Sequence, residues 1–258
     1  MAISPAVLEQ FRALLVRTAG GYLRNPIRTH RVTCAVCTTP CPGYERCATC
    51  QKQLHELGQR ADQVAALTYV FANKQSGYVM RGYKAQPRAV QEHRDIVALT
   101  AILGRGLHSG CAGTWVGNAI THWAVIPSMP AKEGEHPLRQ LVTQAAPGIE
   151  CDLRGAPTAV APRAVRSEHF WMAPVPEGAH VLLIDDTWTS GGHAQSAVLG
   201  ARAAGAAHVS VLVVARWIDP AWAVLDGERK VEPEAYLRGL STGDYDPLLC
   251  PWTGGACP

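Results

Sequence analysis

One stretch constrains this chain more than any other: Val181-Leu-Leu-Ile-Asp-Asp-Thr-Trp-Thr-Ser-Gly-Gly-His193, followed by an alanine-rich segment from Ala194 to Gly205. Four consecutive apolar residues suit a strand buried on both faces, as in the middle of a parallel sheet. Two adjacent carboxylates, Asp185 and Asp186, stand where that strand emerges, and a short hydroxyl- and glycine-rich loop then opens a helix. In open parallel sheets, ligands bind at the carboxyl ends of the strands. Glycines let a loop backbone approach a ligand, and its N–H groups together with a helix N-terminus favour phosphate. Thr189 and Ser190 add hydroxyl donors. Paired acids resist being buried and charged without cations or donors beside them. Ribose hydroxyls and Mg²⁺ supply those. The plainer reading is a βα turn whose acids cap the helix. A lone glycine-rich turn carries little weight, whereas strand, paired acids and loop together carry more.

The rest of the chain gives that strand its setting. Ser4-Pro5 caps a helix carrying Leu8, Phe11, Leu15 and Thr18 at helical spacing, closed by Gly20-Gly21. A basic linker, Tyr22 to Arg31, follows, then a cysteine-rich segment and a short helix over 51–62. From there strands and helices alternate: a strand at Ala65–Phe71, a helix at Gln91–Leu107, a strand at Trp123–Ile126 and a helix at Leu138–Ala145. A weak strand near Thr158–Val160 precedes the strand Val181–Ile184, a helix at Ala194–Ala204 and a strand at Val209–Ala215. That alternation predicts an α/β fold with a parallel sheet flanked by crossover helices. The tail from Trp217 to Pro258 shows no clear periodicity.

Nine cysteines are many for a chain of 258 residues, and five of them crowd between Cys34 and Cys50. Cys34-Ala-Val-Cys37 and Cys47-Ala-Thr-Cys50 are two Cys-x2-Cys pairs, which together supply the four thiolates of a closed tetrahedral zinc site. Cys41 is surplus: it either replaces a ligand or lies free, and Cys-x2-Cys-x3-Cys also suits an iron–sulfur site. Cys250 and Cys257 near the C-terminus either bind metal or pair with each other. A thiol redox role is the weaker reading, because redox Cys-x2-Cys pairs act singly at a helix start after a strand.

The stretch from Val181 to His193 resembles the PRPP-binding motif of type I phosphoribosyltransferases. By that resemblance Asp185 and Asp186 take the ribose 2′- and 3′-hydroxyls, and Thr187, Trp188, Thr189, Ser190, Gly191 and Gly192 wrap the 5′-phosphate, with His193 in contact. The sequence departs from the motif at Thr187 and Trp188, where aliphatics are usual, and at His193, which replaces a small hydroxyl residue. A cysteine knuckle followed by such a domain resembles the ComF family of competence-associated, amidophosphoribosyltransferase-like proteins, over approximately residues 30–216. The resemblance implies a type I phosphoribosyltransferase-like sheet with a small zinc-ribbon-like module. Its expected parts are an N-terminal helix (1–21), the cysteine module (30–60), the main domain (61–216) and a C-terminal extension (217–258). Tyr83-Lys84 is similar to the family's Tyr-Lys segment, which implies that Lys84 approaches the pyrophosphate end as a point charge. Val125-Ile-Pro-Ser128 stands where a pyrophosphate-binding loop belongs, with Ser128 at the turn and Lys132 nearby. The family often continues Arg-Gly-Phe-Asn-Gln, but here the chain reads Glu133-Gly-Glu-His-Pro-Leu-Arg139.

Two functional readings follow. In the first, Asp185, Asp186 and Lys84 are the working groups of a protein that binds PRPP with Mg²⁺ and, if catalytic, transfers phosphoribosyl to a nitrogen nucleophile with release of pyrophosphate. In the second, the protein is a non-catalytic sensor of PRPP or a nucleotide that binds single-stranded nucleic acid, as the family's association with DNA uptake implies. Net charge bears on the second: residues 1–60 hold eight Lys/Arg against three Glu, a surplus of +5, leaving −2 for the remainder. An ordinary solvated surface explains that surplus equally well. Arg163 and Arg166 meet either a phosphate or surface partners, and Trp217 either stacks on a base or covers an apolar edge. No apolar run is long enough to cross a bilayer and the N-terminus lacks a secretory pattern, so a cytoplasmic protein is expected. An apolar patch on the tail would suit a homodimer.

Overall fold

The protein is described by a computed structural model covering all residues except 1–2, 58–59, 86, 130–133, 144–147, 158–160, 162 and 242. The expected strand at Thr158–Val160 and Lys132 lie outside the described residues.

Its centre is a parallel sheet of β1 (Gln63–Phe71), β2 (His122–Val125), β3 (Ile149–Glu150), β6 (His180–Trp188) and β7 (His208–Ile218). The spatial order is β1-β7-β6-β2-β3. The sequence dictates two buried faces through the pleat, since alternate side chains point to opposite sides. Val181, Leu183, Val209, Val211 and Val213 pack with Ala194, Ala197, Val198 and Ala201 of α7 (Gly192–Ala203). Leu182, Ile184, Leu212 and Val214 face the other way, toward α3 (Gln75–Gly82), α4 (Gln91–His108) and α6 (Pro137–Val142). The result is an α/β fold with a five-stranded parallel sheet flanked by helices. From β6 the chain proceeds to β7 on one side, whereas β2 is followed by β3 on the other, so connections diverge between β6 and β2. Such a switch point leaves a crevice at the strand ends.

Around this layer, α1 (Pro5–Ala19) begins as expected: the Ser4 hydroxyl accepts from the Val7 N–H at 3.4 Å, with Pro5 at the first helical position. Its apolar stripe, Leu8, Phe11 and Leu15, packs on Leu99 and Leu103 of α4. The basic linker runs along the outer edge of β1, where Arg24 bridges Tyr69 and so covers the edge strand. α2 (Ala48–Leu57) starts and ends earlier than the expected 51–62: Cys47 immediately precedes it, its carbonyl accepting from the Gln51 N–H at 2.9 Å, and Cys50 sits in its first turn.

Two short helices escaped the sequence pattern: α3, which contains Gly77 and Gly82, and α5 (Cys111–Val116), which is too short for a periodic stripe. An antiparallel pair, β4 (Leu153–Gly155) and β5 (Phe170–Met172), packs against α7. The tail is far from featureless. It holds the hairpin β8 (Val224–Asp226) and β9 (Arg229–Val231), then α8 (Pro233–Leu240). Beyond α8, Tyr245, Cys250 and Trp252 are buried in the clusters formed by α4 and the sheet. The Asn25 side chain fixes this return, donating to the Asp246 carbonyl at 2.7 Å and accepting from its N–H at 2.8 Å. No helix among the described residues is long and apolar enough to cross a membrane.

Candidate functional site

The acid pair lies within β6 rather than beyond it, because the strand continues past Ile184 and keeps its pairing with β7 as far as Trp188 opposite Arg216. The pleat then aims Asp185 and Asp186 at different surroundings. Asp186 is buried and receives a hydrogen bond from the Tyr83 hydroxyl and an ion pair from Lys84. Burial alone would raise its pKa, but the charge of Lys84 and the bonds from Lys84 and Tyr83 outweigh it and hold the carboxyl low. Asp185 is only partly buried, and its carboxylate accepts from the Asp186 N–H at 2.8 Å. Desolvation first, and then the neighbouring Asp186 charge, raise its pKa above the ordinary carboxylate range. Two adjacent carboxyls are thus driven apart in proton affinity.

Beyond the acids is a cleft of about 600 Å³. Its walls include the whole stretch from Asp185 through Ala194, together with Arg81 and Lys84 at the end of α3, Arg163, and Trp217 and Asp219 at the end of β7. Thr187, Thr189, Ser190 and His193 therefore all border one space. The first-turn N–H groups of α7 lack intrahelical acceptors and face the same end of the sheet. Trp217 carries the Arg81 guanidinium over its ring at 5.4 Å. Ser128 follows β2 and is outside the cleft lining, and Arg166 pairs instead with Glu168 at 3.5 Å.

The loop conformation explains its glycines. Gly191 has φ of +81°, and a side chain there would strike the Trp188 ring. A Cβ on Gly192 would meet the Arg163 carbonyl. Trp188, at 2% exposure, is the floor on which the loop rests, so its ring faces the core. This accounts for a large apolar residue among hydroxyl-bearing neighbours.

Sequence reasoning missed the residues that hold the loop from behind. Arg216 on β7 is buried at 3% exposure and donates to the Trp188 and Thr189 carbonyls at 2.8 and 2.9 Å. The same guanidinium donates to the Cys37 carbonyl at 2.9 Å and to the Thr39 hydroxyl. Gln53 of α2 donates to the Ser190 carbonyl at 3.1 Å. The cysteine module and the loop are therefore two sides of one scaffold. An arginine in an otherwise apolar strand run, Val211 to Ile218, was the available signal.

The module itself gathers Cys34, Cys37, Cys47 and Cys50, whose sulfurs all lie within 4.8 Å of one another. For Zn–S bonds of ~2.3 Å, a tetrahedral site needs sulfur–sulfur edges of about 3.8 Å. The Cys37–Cys47 separation is 3.7 Å. This donor set can hold zinc. Cys41 is not one of these four; its thiol neighbours that of Cys34 and is directed at the Tyr44 carbonyl at 3.5 Å.

Much of the basic surplus of residues 1–60 is engaged within the chain. Arg12 pairs with Glu9, Arg46 with Glu45, and Arg24, Arg28 and Arg31 donate to backbone carbonyls.

No protein-family model matches the chain, and no curated protein matches it either.

Proposed function

We propose that the protein binds PRPP, or a closely related ribose 5-phosphate ligand, with Mg²⁺ in the cleft at the end of β6, as a ComF-like member of the phosphoribosyltransferase-type proteins. The observation that carries this reading is the convergence on one 600 Å³ space of two carboxylates, a hydroxyl- and glycine-rich loop at a helix start, and three cationic side chains. Asp185 and Asp186 are the acceptors for ribose hydroxyls. The loop from Thr187 to Gly192 and the start of α7 take the 5′-phosphate through N–H and hydroxyl donors. Arg81, Lys84 and Arg163 supply positive charge for the pyrophosphate end. Among the cleft residues Asp185, Asp186 and Asp219 offer the hard oxygen donors that suit Mg²⁺ beside a phosphate ligand. When bound, the ion would neutralise charge on departing pyrophosphate.

If turnover occurs, a nitrogen nucleophile displaces pyrophosphate at C1 of the ribose. The chain's contribution is then positioning and charge stabilisation. Lys84 is held by Asp186 in the unliganded protein, so ligand binding exchanges that ion pair for contacts with ribose and phosphate. The test is PRPP binding by an Asp185→Asn/Asp186→Asn variant, whose side chains keep their shape but lose their charge. Loss of at least tenfold in affinity with an unchanged circular dichroism spectrum is expected. Wild-type affinity in that variant would refute the assignment.

Nucleic-acid binding would draw on the basic N-terminal part and its cysteine knuckle, and at least five of the eight cationic groups there already have partners within the chain. Salt-dependent retention of single-stranded DNA, lost on deleting residues 1–60, is the result that would restore it.

A further inference from the structure

The C-terminal segment carries a second group of metal-ligand side chains, remote in sequence from the first. His108 ends α4, Cys111 begins α5, and Cys250 and Cys257 flank the terminal loop. Their ligand atoms all lie within 4.8 Å of one another. Three of the four residues are buried, and only Cys257 reaches solvent. We infer that His108, Cys111, Cys250 and Cys257 form a second, structural zinc site that fastens the C-terminal segment to the α4–α5 corner.

The histidine decides between metal and mere proximity of thiols. Its Nε2 is 2.9 Å from the Pro247 carbonyl, which can only accept, so that nitrogen carries the proton. The lone pair of the neutral ring is then on Nδ1, which faces the thiols and lies 3.2 Å from the Cys257 sulfur. A ring whose second nitrogen donates to a backbone carbonyl is the arrangement that fixes a metal-binding imidazole. With Zn–N near 2.0 Å and Zn–S near 2.3 Å, a tetrahedral site needs N–S edges of about 3.5 Å. A disulfide would use two of the three thiols and leave both the third and the oriented imidazole without a role. A closed set of one nitrogen and three sulfurs suits a structural zinc ion.

The loop between the last two cysteines is wound as a ligand turn. The Gly254 N–H donates to the Cys250 carbonyl and the Cys250 N–H to the Gly255 carbonyl, both at 2.8 Å. Gly254 has φ of +80°, and a Cβ there would press on Arg28. Arg28 in turn donates to the Pro251 carbonyl at 2.9 Å and to the Ala35 carbonyl at 3.4 Å. One guanidinium thus links the backbone around both cysteine clusters. This inference is independent of what the cleft binds.

Metal analysis of the full-length protein, purified with zinc and without chelator, tests it. The expected content is about two zinc ions per chain, falling to about one in Cys250→Ser/Cys257→Ser. In the wild type, Cys111, Cys250 and Cys257 should resist alkylation until a chelator strips the metal, and this readout does not depend on the variant folding. About one zinc in the wild type, with those three thiols alkylated freely, would overturn the site. So would protection that survives the chelator but yields to a reductant, because that is the behaviour of a disulfide.

Discussion

Replacing Arg216 by methionine should loosen the loop after β6 and the cysteine module together. Among the described residues no carboxylate bonds to the guanidinium, which donates to carbonyls of Cys37, Trp188, Thr189 and Trp217 and to the Thr39 hydroxyl. Hydrogen bonds from a charged donor contribute about 1.5–3 kcal/mol each. The Cys37 carbonyl keeps a second donor, the Thr38 hydroxyl at 2.7 Å, so its loss is softened. Removing a buried cation also recovers part of its desolvation cost, and methionine fills most of the volume. Two uncompensated loop carbonyls less that recovery leave a net loss of roughly 2–4 kcal/mol. With a urea slope of ~2 kcal/mol per molar, the unfolding midpoint should drop by about 1–2 M in zinc-replete buffer. Limited proteolysis should find new cleavage near residues 188–192, and zinc should leave the four-cysteine site faster. Arg216→Lys, which keeps the charge but not the planar fork, should fall between the two. A midpoint and zinc release rate indistinguishable from wild type would refute the claim that loop and module share this support.

Further outcomes follow from other contacts. Gly191→Ala should destabilise the loop by about 1–3 kcal/mol through its positive φ, and weaken ligand binding more than Gly178→Ala, whose φ is also positive but whose Cβ meets nothing; thermal melts and binding isotherms of the pair separate strain from the clash with Trp188. Because burial raises the pKa of Asp185, binding a ligand that wants its carboxylate should release protons at neutral pH, less so as pH rises. Calorimetry in buffers of different ionisation enthalpy measures that release, which Asp185→Asn should remove. Buried His180 bonds to the Asn118 carbonyl at 2.6 Å and the Ser210 hydroxyl at 2.8 Å, and burial lowers its pKa below the ordinary 6.5. The unfolded chain then binds the extra proton first. Stability should be fully present above pH 6.5 and fall below it, by up to ~1.4 kcal/mol per pH unit. Urea titrations of His180→Gln should show a shallower slope over that range.

What the sequence made legible was whatever a local pattern encodes. The apolar run at Val181, the Asp185-Asp186 pair and the glycines after it locate the strand, the cleft and the turn without knowledge of the rest of the chain. The Cys-x2-Cys pairs do the same for the first thiol cluster. What stayed hidden depends on residues far apart in sequence. Lys84 meets Asp186 across 102 positions, and Arg216 meets Thr39 across 177. No periodicity announces such pairs. The tail looked irregular because its order comes from docking: Cys250 and Trp252 are buried by α4 and the sheet, not by a stripe of their own. Trp188 read as a departure from a ligand loop because its burial beneath Gly191 is a tertiary fact. Short helices such as α3 fail for a simpler reason, since eight residues with two glycines give too little pattern.

Whether the cleft at the end of β6 holds a ribose 5-phosphate ligand with Mg²⁺ is answered by calorimetric titration of the zinc-replete protein with PRPP, with and without Mg²⁺. Saturable one-to-one binding that requires the metal ion and disappears in Asp185→Asn/Asp186→Asn is expected. Absence of binding by correctly folded wild-type protein, or binding indifferent to both Mg²⁺ and the two carboxylates, would contradict it.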